Sequence, residues 1–327
     1  MIRVGLVGFG YWGPNYARIL SSMGDAEMAW CADTDAAALE RVSTAHPHVR
    51  LTKNYRDLLV ADDCDAVIVA TPTVFHEDIA RATLQAGKPI LVEKPLTNRW
   101  ESAASLALEA EQRGAIAVTG HVYLFSPAVR YICDELERGV IGNILYMTAS
   151  RMGFSPIRAD VDALWDLAPH DLSMFMAFTK TMPRRVSATA SAYIRRDRSD
   201  VAFARLEFPG NVIANIGVSW DCPFKERRML IVGSHGTIAC DDLSENKLTV
   251  YHSEQKAPLN RAGVVDRPTL DGAEPLERQL RHFLDCIRDH ERSPVDFKAG
   301  ADVVRVLQAL SESVSAGLPV DLDRDPS

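Results

Sequence analysis

The chain has 327 residues, 47% hydrophobic and 24% charged; that composition excludes wholesale disorder, and the length suits two domains better than one core. A formal net charge of -8 argues against nucleic acid or an anionic membrane as the principal partner. The cysteines, Cys31, Cys64, Cys133, Cys222, Cys240 and Cys286, form no C-x-x-C pair and suit a reducing compartment better than a disulfide framework or a zinc site. No apolar run reaches the roughly 18 residues of a membrane span, and the opening apolar stretch is broken at Gly5 and Gly8 with no cleavage pattern behind it. A soluble, cytoplasmic protein is expected, with no membrane and no nucleic acid as partner.

In chain order, residues 2–8, 27–32, 50–52, 66–71, 89–94 and 115–121 read as short apolar strands without strict alternation, as expected for strands covered on both faces. Helices fit between them. One over 75–86 is closed by Gly87 and Pro89, and one over 99–113 is closed by Gly114. Repeated strand–helix units predict a parallel, doubly wound α/β sheet.

The first of these strands runs into Gly8-Phe9-Gly10-Tyr11-Trp12-Gly13, a G-x-G-x-x-G turn. Gly8 would allow the tight turn, Gly10 the close approach of a pyrophosphate, and Gly13 close helix–strand packing. Tyr11 and Trp12 would add backbone amides, and Pro14 is tolerated in a first helical turn. Asp33, with Thr34 beside it, ends the second strand, where a carboxylate can accept from both ribose hydroxyls and repel a 2′-phosphate. NAD is therefore expected, and NADP disfavoured; Asp33 as a plain turn or capping residue is the competing reading.

The rhythm changes after residue 121. A helix over 126–138, a strand over 144–152 and a helix over 168–178 precede successive strand-like stretches at 184–194, 201–208, 212–220 and 228–232. Consecutive strands without helices predict an antiparallel or mixed sheet in an α+β domain. Residues 252–274 read as a long polar loop. Two amphipathic helices close the chain, with stripes Leu276, Leu280, Phe283, Leu284, Ile287 and Val303, Leu307, Leu310, Val314. The expected domains are 1–121 for dinucleotide binding and 122–327 for substrate binding and oligomerisation, with the C-terminal helices as candidates for packing back on the first. His46 and His48 flank Pro47 without further ligands, so no metal site is expected.

Further motifs narrow the reaction. Ala70-Thr71-Pro72-Thr73 ends the fourth strand with His76 close behind, Glu93-Lys94-Pro95 ends the fifth, and Trp165-Asp166-Leu167-Ala168-Pro169-His170-Asp171 follows later. Together with Gly233-Ser234-His235-Gly236-Thr237 and the ending from Glu274 to Val320, these make the chain resemble the GFO/IDH/MocA oxidoreductases over nearly its whole length. The resemblance implies a Rossmann domain followed by a large, mostly antiparallel open sheet. It also implies a homodimer or homotetramer, because one face of that sheet commonly packs against another subunit in the family.

The resemblance further implies an NAD-dependent dehydrogenase acting on one hydroxyl or ketone of a sugar, sugar nucleotide or cyclitol. Lys94 would bind the reacting oxygen, His170 would be the general acid/base, and Asp166 would bind substrate and orient His170. Thr71, Pro72, His76 and Glu93 would border the cofactor. Tyr123, Arg151 and Trp165 are candidates for the substrate, each with an ordinary structural reading beside it. Asp166 as a plain N-cap and His170 as a partly buried histidine are the competing readings; Pro169, which has no N–H for a capping side chain and marks a first helical turn, complicates both, and if the helix starts only there the pair need not share a face. A ketosugar reductase of a specialised biosynthetic pathway and a non-catalytic dinucleotide-sensing regulator are the alternatives; Lys94 and His170 speak against the latter.

Overall fold

Six short strands pair in parallel in the first part of the chain, in a computed structural model that describes residues 1–154, 157–158, 160–252 and 265–323. They are β1 (Ile2–Val7), β2 (Ala26–Ala32), β3 (Arg50–Thr52), β4 (Ala66–Val69), β5 (Ile90–Glu93) and β6 (Ala117–Gly120). Between them run α1 (Gly13–Ser22), α2 (Ala36–Ala45), α3 (Arg56–Val60), α4 (His76–Gln85) and α5 (Trp100–Gln112). β4 and β5 are buried at every position, which explains why they lack alternation: helices cover both faces. The strand order β3-β2-β1-β4-β5-β6 is the doubly wound arrangement, with its switch point between β1 and β4.

The chain then forms α6 (Pro127–Glu137), β7 (Ile144–Met152), α7 (Ala163–Thr179), β8 (Arg185–Ser191), β9 (Val201–Phe208) and β10 (Val212–Ser219). After these come β11 (Glu226–Gly233), β12 (Gly236–Asp241), β13 (Leu248–His252) and β14 (Val265–Asp266). The last elements are α8 (Pro275–Asp289), α9 (Phe297–Ala316) and β15 (Val320–Asp321). The second sheet has nine strands in the order β14-β13-β12-β11-β7-β10-β9-β8-β15. It is antiparallel except for β7 against β10.

Two compact units result. One comprises Met1–Val122 with Glu274–Val304, and the other Tyr123–Ala273 with Arg305–Ser327. In the first, α8 lays Leu276, Leu280, Phe283 and Leu284 into the same cluster as Tyr16, Leu20 and Met28. Each such side chain contributes roughly 1.5–3 kcal/mol by leaving water, so the return of α8 is driven by its apolar stripe.

The structure departs from the sequence expectations in two places. First, α7 begins at Ala163, five residues before the expected start, and Pro169 lies in its interior. Asp162, not Asp166, is the cap: its Oδ1 accepts from the Trp165 amide at 2.9 Å. Second, β12 to β15 were not expected as strands. β14 falls inside the polar stretch read as a loop, of which residues 253–264 lie outside the described residues.

Candidate active site

The nucleotide turn follows from backbone sterics. Gly8 has φ +95°, and a side-chain carbon there would meet the Ala70 carbonyl oxygen at 2.7 Å; at Gly13 it would meet the Gly8 oxygen at 2.5 Å. A carbon on Gly10 would meet nothing within 4 Å, so the middle of the turn is open to a ligand. α1 starts without a side-chain cap, which leaves its N-terminal donors and positive dipole end for phosphates. Asp33 ties the turn to β2: Oδ2 accepts from the Phe9 amide at 2.6 Å and Oδ1 from the Asp35 amide at 2.9 Å. Each oxygen keeps a lone pair for a ribose hydroxyl. Thr34 is exposed beside it, the Tyr11 ring is 81% exposed, and Trp12 packs partly against the core cluster. These features fit a bound dinucleotide.

Lys94 stands one residue beyond β5 and is only 8% exposed. Its peptide bond to Pro95 is cis. Glu93 fixes its backbone: Oε2 accepts from the Lys94 amide at 3.1 Å, while Oε1 accepts from the Tyr16 hydroxyl at 2.6 Å. Gln279 of α8 donates in turn to the Tyr16 oxygen at 3.1 Å. Burial and the neighbouring Glu93 carboxylate push the Tyr16 phenol well above its ordinary range, so it stays a donor. Glu93 therefore acts on Lys94 through the backbone.

His76 is placed similarly. Its ring nitrogens lie 3.0 Å from the Pro95 carbonyl and 2.9 Å from the Thr71 carbonyl, so it braces the ends of β4 and β5. Thr71 and the exposed Pro72 lie at that end of β4.

His121 was read only as the end of a strand. It is 1% exposed, and neither ring nitrogen has a hydrogen-bond partner among the described residues. Burial, and then the charge of Lys94, pushes its imidazole down to about 3, so it is neutral at working pH. Leaving such a buried group without a partner costs about 1–3 kcal/mol. The available sequence signal was its position, one residue past a parallel strand, as Lys94 is.

In the second unit, Asp166 and His170 sit one turn apart on α7 and so share a helix face. Asp166 is held on both oxygens, Oδ1 by Arg158 at 3.1 Å and Oδ2 by the Trp220 indole at 3.0 Å. The Tyr123 ring packs against His170 with centroids 4.8 Å apart. Beneath Tyr123 lies the Arg151 guanidinium, 4.4 Å from the ring centroid.

Arg151 is buried and pairs with Asp171 through two bonds of 3.0 Å. Burial works against its charge, but the Asp171 carboxylate and Tyr123 outweigh that and raise it above the usual arginine range. Arg227, opposite Arg151 in the β11–β7 register, donates to the Tyr123 hydroxyl at 2.9 Å. Trp165 donates its indole N–H to Ser311 of α9 at 2.8 Å. Asp171, Arg158, Trp220, Tyr16, Gln279 and Arg227 were missed by sequence reasoning, because each is identified only by a partner distant in sequence or by a backbone the sequence does not show.

Residues 2–121 match the GFO/IDH/MocA oxidoreductase family model, an NAD-binding Rossmann fold, and residues 129–239 match the GFO/IDH/MocA C-terminal domain. The UDP-N-acetylglucosamine 3-dehydrogenase of Acidithiobacillus ferrooxidans is 29% identical over 324 residues, covering 97% of this chain and 98% of that protein. Its solved structure has a TM-score of 0.85 at 28% identity, covering 96% and 98% of the two chains. The inositol 2-dehydrogenase of Acidothermus cellulolyticus is 28% identical over 246 residues, 73% of this chain and 72% of its own. Levoglucosan dehydrogenase, solved with NADH and levoglucosan, shares the fold with a TM-score of 0.89 at 19% identity over 99% of this chain and all of its own. With both domains matched, the chain belongs to the GFO/IDH/MocA family of oxidoreductases, and its first sheet is that family's NAD-binding Rossmann fold.

Proposed function

We propose that this enzyme moves a hydride between NAD and a hydroxyl- or ketone-bearing carbon of a sugar, a sugar nucleotide or a cyclitol. The observation that carries the reading is the shared helix face of Asp166 and His170, together with a buried Lys94 at the carboxyl end of a Rossmann strand. The most similar relatives reported above, which act on a sugar nucleotide and on a cyclitol by name, support the substrate class.

Bound NAD supplies the hydride acceptor at its nicotinamide ring. Lys94 donates to the reacting oxygen and steadies its developing negative charge. His170 takes the hydroxyl proton as general base and returns it when the reaction runs as a reduction. Asp166, held by Arg158 and Trp220, binds a neighbouring hydroxyl and orients His170 one turn away. Tyr123 and Arg151 serve by setting the position of the His170 ring, and Trp165 by securing the start of α7.

The test is absorbance at 340 nm with NAD⁺ and a panel of inositols, free hexoses and nucleotide sugars. Growth of the NADH band with one of these classes is expected. No change with any of them, and no loss of NADH absorbance with the matching ketones, would contradict the reading.

The second unit is also proposed to form a homodimer or homotetramer. On the sheet face carrying Thr148 and Ser150, Tyr146, Phe203 and Tyr251 are 42%, 55% and 42% exposed, beside a groove of about 620 Å³ lined by Thr148, Asn215 and Leu318. Such apolar exposure marks an interaction surface. Light scattering should give the mass of two or four copies, and Phe203→Glu should lower it; a single-copy mass at micromolar concentration would contradict the assignment. The free thiols support a cytoplasmic setting.

A further inference from the structure

In a doubly wound sheet the ligand lies beyond the carboxyl ends of the strands, and the β4–β5–β6 half receives the second nucleotide of a dinucleotide. Counting on from the registers Val69↔Val92 and Glu93↔Gly120 puts Thr71, Lys94 and His121 level with one another at that end. Two of the three carry orphaned polar atoms. The Thr71 hydroxyl oxygen and both His121 ring nitrogens are buried with no hydrogen-bond partner among the described residues.

His76 supplies the contrast within the same unit. It is equally buried, and both its ring nitrogens rest on backbone carbonyls. A histidine there for structure is thus satisfied by the fold, and His121 is not. Buried polar groups left unpaired in a native fold point to a ligand or a reactive role.

The chemistry of the ligand follows from what is offered. A neutral imidazole presents one donor and one acceptor, and a threonine hydroxyl presents either. No fixed charge is added beyond Lys94. This suits a neutral amide, which needs an acceptor for its N–H and a donor for its carbonyl. The phosphates and adenosine ribose have their own partners at Gly8–Gly13 and Asp33 on the other half of the sheet.

We propose that His121, with Thr71, seats the carboxamide of the nicotinamide ring and so fixes which face of the ring is presented beside Lys94. The inference rests on NAD binding and is independent of the identity of the second substrate. His121 is a cofactor-binding residue on this reading.

The experiment compares fluorescence titration with NADH against binding of ADP-ribose, which keeps the adenosine and pyrophosphate but lacks nicotinamide. In His121→Leu the NADH dissociation constant should rise about tenfold, or about 1.4 kcal/mol, while ADP-ribose binding stays at the wild-type value. His121→Asn, whose amide restores a donor and an acceptor, should stay within about threefold of wild type for both ligands. The ligand-free melting temperature of His121→Leu should equal or exceed that of wild type, because the leucine removes an unpaired buried polar group. Wild-type NADH affinity in His121→Leu would overturn the proposal, as would a parallel loss of ADP-ribose binding or a tenfold loss in His121→Asn. Because these readouts are binding and stability, they stand even if the proposed sugar or cyclitol substrate class fails.

Discussion

Asp33 illustrates how one side chain can hold a turn together and still be proposed as a cofactor ligand. Its carboxylate accepts from the Phe9 and Asp35 amides, and each oxygen keeps a lone pair for the proposed ribose contact. Arg41 binds the next peptide of the same turn, donating to the Phe9 carbonyl at 3.2 Å. Removing the carboxylate therefore removes a negative charge from a turn that Arg41 also binds. Asp33→Ala should weaken NAD about ten- to hundredfold, the worth of hydrogen bonds to a charged group, and lower the preference for NAD over NADP. The ratio of kcat/KM for the two cofactors checks this; an unchanged ratio would remove Asp33 as the ribose ligand.

At this scale the sequence was informative wherever a residue's role is set by its own backbone. Gly8 and Gly13 are required by local sterics and were readable. Glu93 and His76 were expected to border the cofactor, and Trp165 to meet the substrate or support the site; their polar atoms also meet protein partners: Tyr16 and the Lys94 amide, two backbone carbonyls, and Ser311. Such partners lie far along the chain, as Gln279 does from Tyr16, and no local pattern announces them.

Among the elements, the parallel strands were legible because burial on both faces produces unbroken apolar runs such as Ala66–Val69 and Ile90–Glu93. α7 was not placed correctly. Proline is so strong a helix-start signal that the helix was expected to begin near Pro169, whereas the Asp162 capping bond to Trp165 starts it at Ala163. The correction matters for function, since it puts Asp166 and His170 on one face. The later strands of the second sheet were missed for a different reason. β14 and β15 are two residues each and hold their places through pairing with β13 and β8, a tertiary effect with no period to detect.

The whole molecule combines a sheet whose topology creates a ligand crevice with a second sheet whose covering helix carries Asp166 and His170. The glycine-rich turn, the strand-end place of Lys94 and the four-residue spacing of Asp166 and His170 are all legible in the sequence. Asp171, Arg158, Trp220 and His121 emerged only from packing. In the proposed mechanism His170 takes the hydroxyl proton and Lys94 holds the reacting oxygen while NAD takes the hydride. This mechanism is tested most directly by measuring kcat on the active substrate, together with NADH affinity by fluorescence, for Lys94→Ala and His170→Ala. Turnover should fall at least a hundredfold in each, in line with the loss of a general acid/base or of an electrostatic donor, with NADH affinity within a few-fold of wild type. Wild-type turnover in either variant would contradict the account.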